Sequence, residues 1–222
     1  MASKTISRRK FFKIAGLTLG ASTLACGGLG YAATQAAPKP LAAQVETPSY
    51  TFGKADTMKK SVLVAYATRT GSTVGVASAI GEAIAGRGYA VEVKPVSDNP
   101  DPGAYDLVIL GSAVNGARWL PEAVEYVRRH QQALRKAPVA MFCVHILNLG
   151  EDETSRRNRQ AYLNEARSLV APVDEGFFSG KGLDPENTAP ILLWVLRAIK
   201  LMPEGDARDW TKIGSWAQTV FA

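Results

Sequence analysis

A short loop rich in hydroxyl side chains carries the clearest chemical signal in the chain. It consists of Thr68, Arg69, Thr70, Gly71, Ser72 and Thr73. The apolar run before it, 61–67, is typical of a strand buried on both faces, and the apolar residues after it are spaced as in a helix. Free N–H groups at a helix N-terminus attract anions, and a glycine lets the backbone approach them closely. The sequence therefore predicts a phosphate-binding loop; an ordinary strand–turn–helix with a Ser or Thr cap is the alternative.

The loop lacks the signatures of nucleotide-binding loops. Neither G-x-x-x-x-G-K-[ST] nor G-x-G-x-x-G occurs in it. It contains no lysine and no metal-binding acid, so hydroxyl and backbone groups would have to hold the phosphate. This chemistry suits a monophosphate such as that of FMN. The loop resembles the phosphate loop of flavodoxins, which follows their first strand.

From Lys59 onward, apolar runs alternate with helical patterns. The predicted strands are 61–67, 89–93, 105–111, 138–146 and 173–179, and the predicted helices are 72–87, 121–136, 154–170, 190–202 and 209–221. This alternation indicates an α/β fold with right-handed crossovers and a parallel sheet covered on both faces. The resemblance implies a flavodoxin-like three-layer sandwich with a five-stranded parallel sheet in the order 2-1-3-4-5. In that order FMN binds at the switch point between strands one and three.

Two further loops at the same sheet edge would have to hold the flat ring of a flavin. The loop after the third strand supplies the candidates Ala113, Val114, Asn115, Gly116 and Trp119. Gly111 and Gly116 would let the backbone approach the ring. Trp119 either stacks on the ring, since an indole offers a large planar surface, or packs on the domain at the start of a helix.

The loop after the fourth strand supplies His145 and Asn148. His145 is one of two histidines in the chain. It either contacts the ring or a proton-exchanging substrate, or has a structural role. Cys143 is expected to be a buried strand residue. The sequence offers no nucleophile, carboxylate pair or metal-ligand cluster that stands out, so no catalytic residue and no metal site is predicted.

The first 58 residues precede the predicted domain, 59–222. Residues 1–37 contain a twin-arginine pattern at Arg8 and Arg9, followed by a moderately apolar stretch. They are predicted to be a twin-arginine export signal or an N-terminal membrane anchor, and both place the domain outside the cytoplasm, in the periplasm or its equivalent. Cys26 is either a lipidation site or a small apolar residue of this stretch. Residues 38–58 contain Pro38, Pro40 and Pro48 without periodicity, and are predicted to be a linker.

Most of the net positive charge of the chain comes from its first 37 residues. The formal net charge of +6 includes five cations and no acid from this segment. Without those five, 21 basic residues stand against 20 acidic ones, a net charge of about +1. The domain therefore lacks the excess of positive charge that attracts nucleic acid, and we predict that it does not bind nucleic acid.

A closer resemblance extends over 61–218. It is carried by Thr68-Arg69-x-Gly71-x-Thr73, by Tyr105-Asp106-x-Val108-x-x-Gly111, and by Ile199-Lys200-x-Met202 with Gly205 and Asp209-Trp210. These motifs are similar to those of the menaquinone- or other quinone-dependent protoporphyrinogen IX dehydrogenases, which add a segment before the last helix. The resemblance implies an FMN-dependent oxidoreductase that passes a hydride or electrons from a reduced donor to a quinone.

Two alternatives to this enzyme remain open. The first is an exported flavodoxin-like electron carrier with a protein redox partner, and the second is a flavin-free binding domain. The apolar helix predicted at 190–202 is too short to span a bilayer. It either lies on a membrane surface near the quinone pool or packs on the sheet.

Overall fold

The computed structural model describes residues 45–53, 60–182 and 205–222. The predicted export segment with Cys26 and the predicted helix at 190–202 lie outside these residues. Residues 45–222 belong to one unit. No helix among the described residues has both the length and the apolar character needed to cross a membrane.

Strands and helices alternate along the described residues, as the sequence predicts. The strands are β1 (Tyr50–Phe52), β2 (Ser61–Ala67), β3 (Ala90–Pro95), β4 (Leu107–Asn115), β5 (Arg118–Trp119), β6 (Val139–His145) and β7 (Asp174–Ser179). The helices are α1 (Ser72–Ala85), α2 (Pro121–Arg129), α3 (Gln131–Leu134), α4 (Glu153–Ala161), α5 (Asn164–Leu169) and α6 (Trp210–Thr219). The predicted helices 121–136 and 154–170 are each divided into two shorter helices.

The sheet has the predicted topology. Its strands follow the order β1-β3-β2-β4-β6-β7, and the five strands from β3 to β7 in this order are parallel to one another. Numbered as in the sequence-based prediction, these are strands 2-1-3-4-5. β2 is central, since Val64 pairs with Val93 of β3 on one side and with Ile109 of β4 on the other. The α/β flavodoxin-like fold is therefore confirmed.

Two apolar cores lie on opposite faces of the sheet, which gives the expected three layers. Alternate residues of β2 divide between them: Val64 belongs to the core that contains Ile80 of α1 and Ile213 of α6. Leu63 belongs to the core that contains Val127 of α2 and Ala166 of α5. Burial of β2 on both faces explains why its sequence is a continuous apolar run rather than an alternating one.

Two antiparallel strands extend the sheet beyond the prediction. β1 pairs with β3 at the edge of the sheet, with Tyr50 opposite Val93 and Phe52 opposite Val91. Residues 38–58 were predicted to be a linker, and this prediction is wrong for Tyr50–Phe52. The backbone of these residues pairs with the N–H and C=O groups at the outer edge of β3. The second addition, β5, folds back on β4.

Candidate functional site

The hydroxyl-rich loop joins the carboxyl end of the central strand β2 to the N-terminus of α1. Gly71 is the N-cap of α1, with φ +82° and ψ −12°, a left-handed conformation that favours glycine. Its N–H donates to Thr68 Oγ1 at 3.0 Å, and its carbonyl accepts from Val74 N–H at 3.2 Å. These two bonds fold the loop back on itself over the first turn of the helix.

The N-terminus of α1 has free hydrogen-bonding capacity. The first N–H groups of a helix lack intrahelical partners, and within 45–53, 60–182 and 205–222 no side chain caps this helix. By contrast, Asp152 caps α4 by accepting from Ser155 N–H at 2.9 Å, and Asp209 caps α6 by accepting from Lys212 N–H at 2.9 Å. The first turn of α1 also contains no acid, so nothing there opposes an incoming anion.

Thr73 presents an unsatisfied buried hydroxyl in the same turn. The residue is 0% exposed, and its Oγ1 has no hydrogen-bond partner among the described residues. An unpaired buried hydroxyl costs about 1–3 kcal/mol of stability. The neighbouring Ser72 is also buried, while Arg69 and Thr70 are exposed. The residues of the predicted phosphate loop are therefore together, and their donors fit an anionic group.

The chain after β4 forms a hairpin rather than an open loop. Gly116 and Ala117 have φ of +59° and +60°, the conformation of a two-residue hairpin turn. Asn115 and Gly116 are exposed at its tip, at the carboxyl end of β4, and Ala113 and Val114 are half-buried at its base. The hairpin thus stands at the same sheet edge as the hydroxyl-rich loop, because β2 and β4 are parallel neighbours.

The predicted stacking of Trp119 on a flavin ring is wrong. Trp119 is 1% exposed and belongs to the core between β4 and α2. Its indole N–H donates to Cys143 Sγ at 3.0 Å, and burial raises the pKa of that thiol. The packing alternative describes this tryptophan, and Cys143 is buried as predicted. Gly111 likewise serves packing, because a Cβ there would lie 1.9 Å from Phe142 Cζ.

His145 lies beneath the loop that follows β6. It is 4% exposed, and its ring packs on that of Tyr162 with the centroids 5.5 Å apart. Its Nδ1 is 2.8 Å from Leu147 O, so this nitrogen carries the proton, and Nε2 has no partner among the described residues. Burial, with the positive charges of Arg159 and Lys212, lowers the pKa of His145 from 6.5 to about 4. The imidazole is therefore neutral near pH 7.

The amide of Asn148 is used within its own loop. Asn148 has φ +58°; its Nδ2 donates to Tyr162 Oη at 2.5 Å, and its Oδ1 accepts from Asn158 Nδ2 at 3.1 Å. Arg159 donates to Asn148 O at 2.7 Å. Leu147 and Leu149 are each 38% exposed on this loop. Sequence reasoning assigned no role in this loop to Arg159 and Tyr162, and no local signal marks them, because their hydrogen bonds to the loop depend on tertiary structure.

The comparisons with known proteins identify the class to which this fold and loop belong. The model of the flavodoxin domain family matches residues 63–186, and the chain belongs to this family. No curated protein sequence matches the chain. In the parts of the chain that the structure describes, no group of three or more His, Cys, Asp or Glu side chains is arranged to hold a metal ion.

Several solved flavodoxins and flavoproteins are similar in structure to the chain. A flavodoxin from the domain Archaea is 13% identical, with a TM-score of 0.45 over 72% of this chain and 95% of that one. The two-electron reduced flavodoxin of Megasphaera elsdenii is 19% identical, with a TM-score of 0.44 over 71% and 98%. A flavoprotein from Lactobacillus acidophilus, solved in complex with FMN, is 16% identical, with a TM-score of 0.40 over 54% and 93%.

Proposed function

We propose that this protein binds one FMN noncovalently through the loop 68–73 and transfers electrons. The observation that carries the proposal is the buried hydroxyl of Thr73, which has no hydrogen-bond partner among the described residues. It lies in the first turn of α1, whose N-terminus no described side chain caps. A phosphate oxygen would accept from Thr73 Oγ1 and from the first N–H groups of α1, which satisfies donors that the protein itself leaves unpaired. Thr68 shapes the loop through its bond to Gly71 N–H, and Thr70 and Ser72 add hydroxyls to the cradle.

The two neighbouring loops would flank the ring. The hairpin tip at Asn115 and Gly116 is exposed. Among the described residues, and apart from the two chain neighbours, no heavy atom lies within 4 Å of a Cβ built on Gly116, so a flat ring has room to approach. The β6–α4 loop offers the exposed side chains of Leu147 and Leu149. Trp119 has no role in ring binding, and His145 and Asn148 act by shaping the loop. When bound, the flavin supplies the redox chemistry, while the protein positions it and limits access of water.

The finer proposal is an oxidoreductase that resembles the quinone-dependent protoporphyrinogen IX dehydrogenases. A reduced donor would lose two electrons and two protons, and a quinone would gain both to become a quinol. The support is the motif resemblance and the path of the chain after β7. Gly182, which follows β7, and Gly205, which precedes α6, lie side by side, since Gly182 N–H donates to Gly205 O at 2.7 Å. The backbones of Lys181 and Asp206 form an antiparallel β-bridge next to this bond. This path leaves residues 183–204 between β7 and α6, the position at which the resemblance implies an added segment.

A protein electron carrier is the second candidate. The observation that favours it is the exposure of Leu147 and Leu149 at the site edge, since apolar side chains around a redox site suit docking of a protein partner. We further propose that the domain works outside the cytoplasm after export through residues 1–37, near a membrane that holds the quinone pool. The predicted helix at 190–202 would provide contact with that membrane.

The visible spectrum of the full-length protein as isolated tests the proposal. We expect a yellow protein that releases FMN, and not FAD or riboflavin, on denaturation; a colourless protein that takes up no added FMN would overturn it. Once the flavin is reduced, oxidation by a menaquinone analogue together with turnover of a porphyrinogen supports the enzyme. Electron transfer only to proteins supports the carrier.

A further inference from the structure

The residues that lead into the sheet, 45–52, form what we call the N-terminal strap. β1 is antiparallel to β3, which is parallel to β2. The strap therefore enters the domain at the carboxyl edge of the sheet, where β2 runs into the loop 68–73. Phe52, at the other end of the strap, packs on α1. A Cβ built on Gly81 of that helix would lie 3.2 Å from the ring of Phe52.

The strap reaches the phosphate loop itself. A Cβ on Gly71 would lie 3.4 Å from Val45 Cγ1, an ordinary van der Waals distance. Val45 thus lies against the residue whose left-handed conformation turns the loop toward the first N–H groups of α1. The family match begins at residue 63, so the strap is outside the matched domain.

A buried hydrogen bond fixes the strap in this position. Tyr66, the penultimate residue of β2, is 0% exposed, and its Oη donates to Pro48 O at 2.8 Å. Burial, followed by the charges of Tyr50 and Asp98, raises the pKa of Tyr66 to about 12, so the phenol remains a donor at neutral pH. A second bond, from Ser49 Oγ to Asp98 Oδ2 at 3.3 Å, ties the strap to the turn after β3.

We propose that the N-terminal strap is part of the cofactor site and holds the phosphate loop in its binding conformation, with Tyr66 as the positioning residue. This inference rests on the proposed FMN function. Arg69 and Thr70 are exposed, so the outer half of the loop gains little from packing. A loop that is ordered before binding loses less conformational entropy when the ligand arrives, and therefore binds it more tightly. Val45 contacts the loop directly, and the hydrogen bond from Tyr66 to Pro48 holds the strap in place, so both restrict the loop from outside it.

A pair of matched tyrosine variants in the full-length chain tests the strap. Tyr126 makes the same bond on the other face of the sheet: it is 3% exposed and its Oη donates to Pro100 O at 2.8 Å. Tyr66→Phe and Tyr126→Phe therefore remove equivalent hydrogen bonds, and both should lower the melting temperature by about 2–4 °C. Only Tyr66→Phe should weaken FMN binding, by about fivefold, and speed hydrogen exchange at residues 70–74 of the flavin-free chain.

A second pair keeps the test decisive if Tyr66→Phe fails to fold. Val45→Asp places a carboxylate against the phosphate loop, whereas Val45→Asn is its neutral isostere. We expect Val45→Asp to bind FMN roughly fivefold more weakly than Val45→Asn, with a difference that shrinks at high salt. If Tyr66→Phe fails to fold, equal FMN affinities within the Val45 pair would by themselves overturn the proposed role of the strap. If it folds, equal affinities within both pairs and unchanged exchange at 70–74 would overturn that role. In either case the FMN proposal would stay intact. A wild-type chain without affinity for FMN would overturn both.

Discussion

Replacement of Thr73 by valine should change stability and cofactor affinity in opposite directions. The hydroxyl is fully buried and unpaired among the described residues, and an unsatisfied group of this kind costs about 1–3 kcal/mol. Valine has nearly the same shape without the polar atom. The flavin-free Thr73→Val chain should therefore be more stable than the wild type, with a melting temperature higher by about 2–4 °C for each kcal/mol gained.

The same variant should bind FMN more weakly. A hydrogen bond to a charged acceptor contributes about 1.5–3 kcal/mol, which corresponds to a roughly 10- to 150-fold increase in Kd. Fluorescence titration of flavin-free protein with FMN measures the affinity, and thermal unfolding of the same sample measures the stability. Thr73→Ser keeps the hydroxyl and should keep most of the affinity without the gain in stability. A Thr73→Val chain that binds FMN like the wild type would refute the assignment of this hydroxyl to the phosphate.

Three further predictions follow from the loop, the buried histidine and the N-terminal segment. Gly71→Val should lose its flavin, because a β-branched residue at φ +82° costs at least about 1–2 kcal/mol; Gly88→Val, at φ +92° on the opposite sheet edge, is the control that should keep it. His145, with its pKa near 4 when folded and 6.5 when unfolded, makes the unfolded chain bind more protons between these values. Stability should thus fall as pH drops from 6.5 to 4, by up to about 3 kcal/mol, and urea titrations should show a smaller loss for His145→Asn. Conversion of Arg8 and Arg9 to lysine should leave the flavin-loaded precursor inside the cell, and normal export on fractionation would discard the twin-arginine route.

The parallel core of the sheet was predictable because its strands are buried on both faces. β2, β4 and β6 read as continuous apolar runs, and Pro121 marks the start of α2, so strand and helix types could be assigned locally. The position of the hydroxyl-rich loop was also predictable locally, because its residues are contiguous and lie where a strand leads directly into a helix.

The features that sequence reasoning missed depend on contacts between distant residues. β1 is a strand of three residues between Pro48 and Gly53, too short for a periodic signal, and only its pairing with β3 fixes it. The hairpin after β4 needs Ala117 at φ +60°, which alanine rarely adopts. The two alternatives for Trp119, stacking on a ring or packing on the domain, could not be separated locally because its partner, Cys143, lies 24 residues away. In each case tertiary structure overrides the local preference.

Comparison of FMN with riboflavin as ligands of the flavin-free, full-length protein tests the central claim most directly. The two ligands share the ring and differ in the phosphate, which the loop 68–73 is proposed to hold. Several charge-assisted hydrogen bonds to that phosphate should make FMN bind at least about 100-fold more tightly than riboflavin. Equal affinity for the two ligands, or no measurable binding of either, would contradict the assignment of this loop as the phosphate site of a flavin.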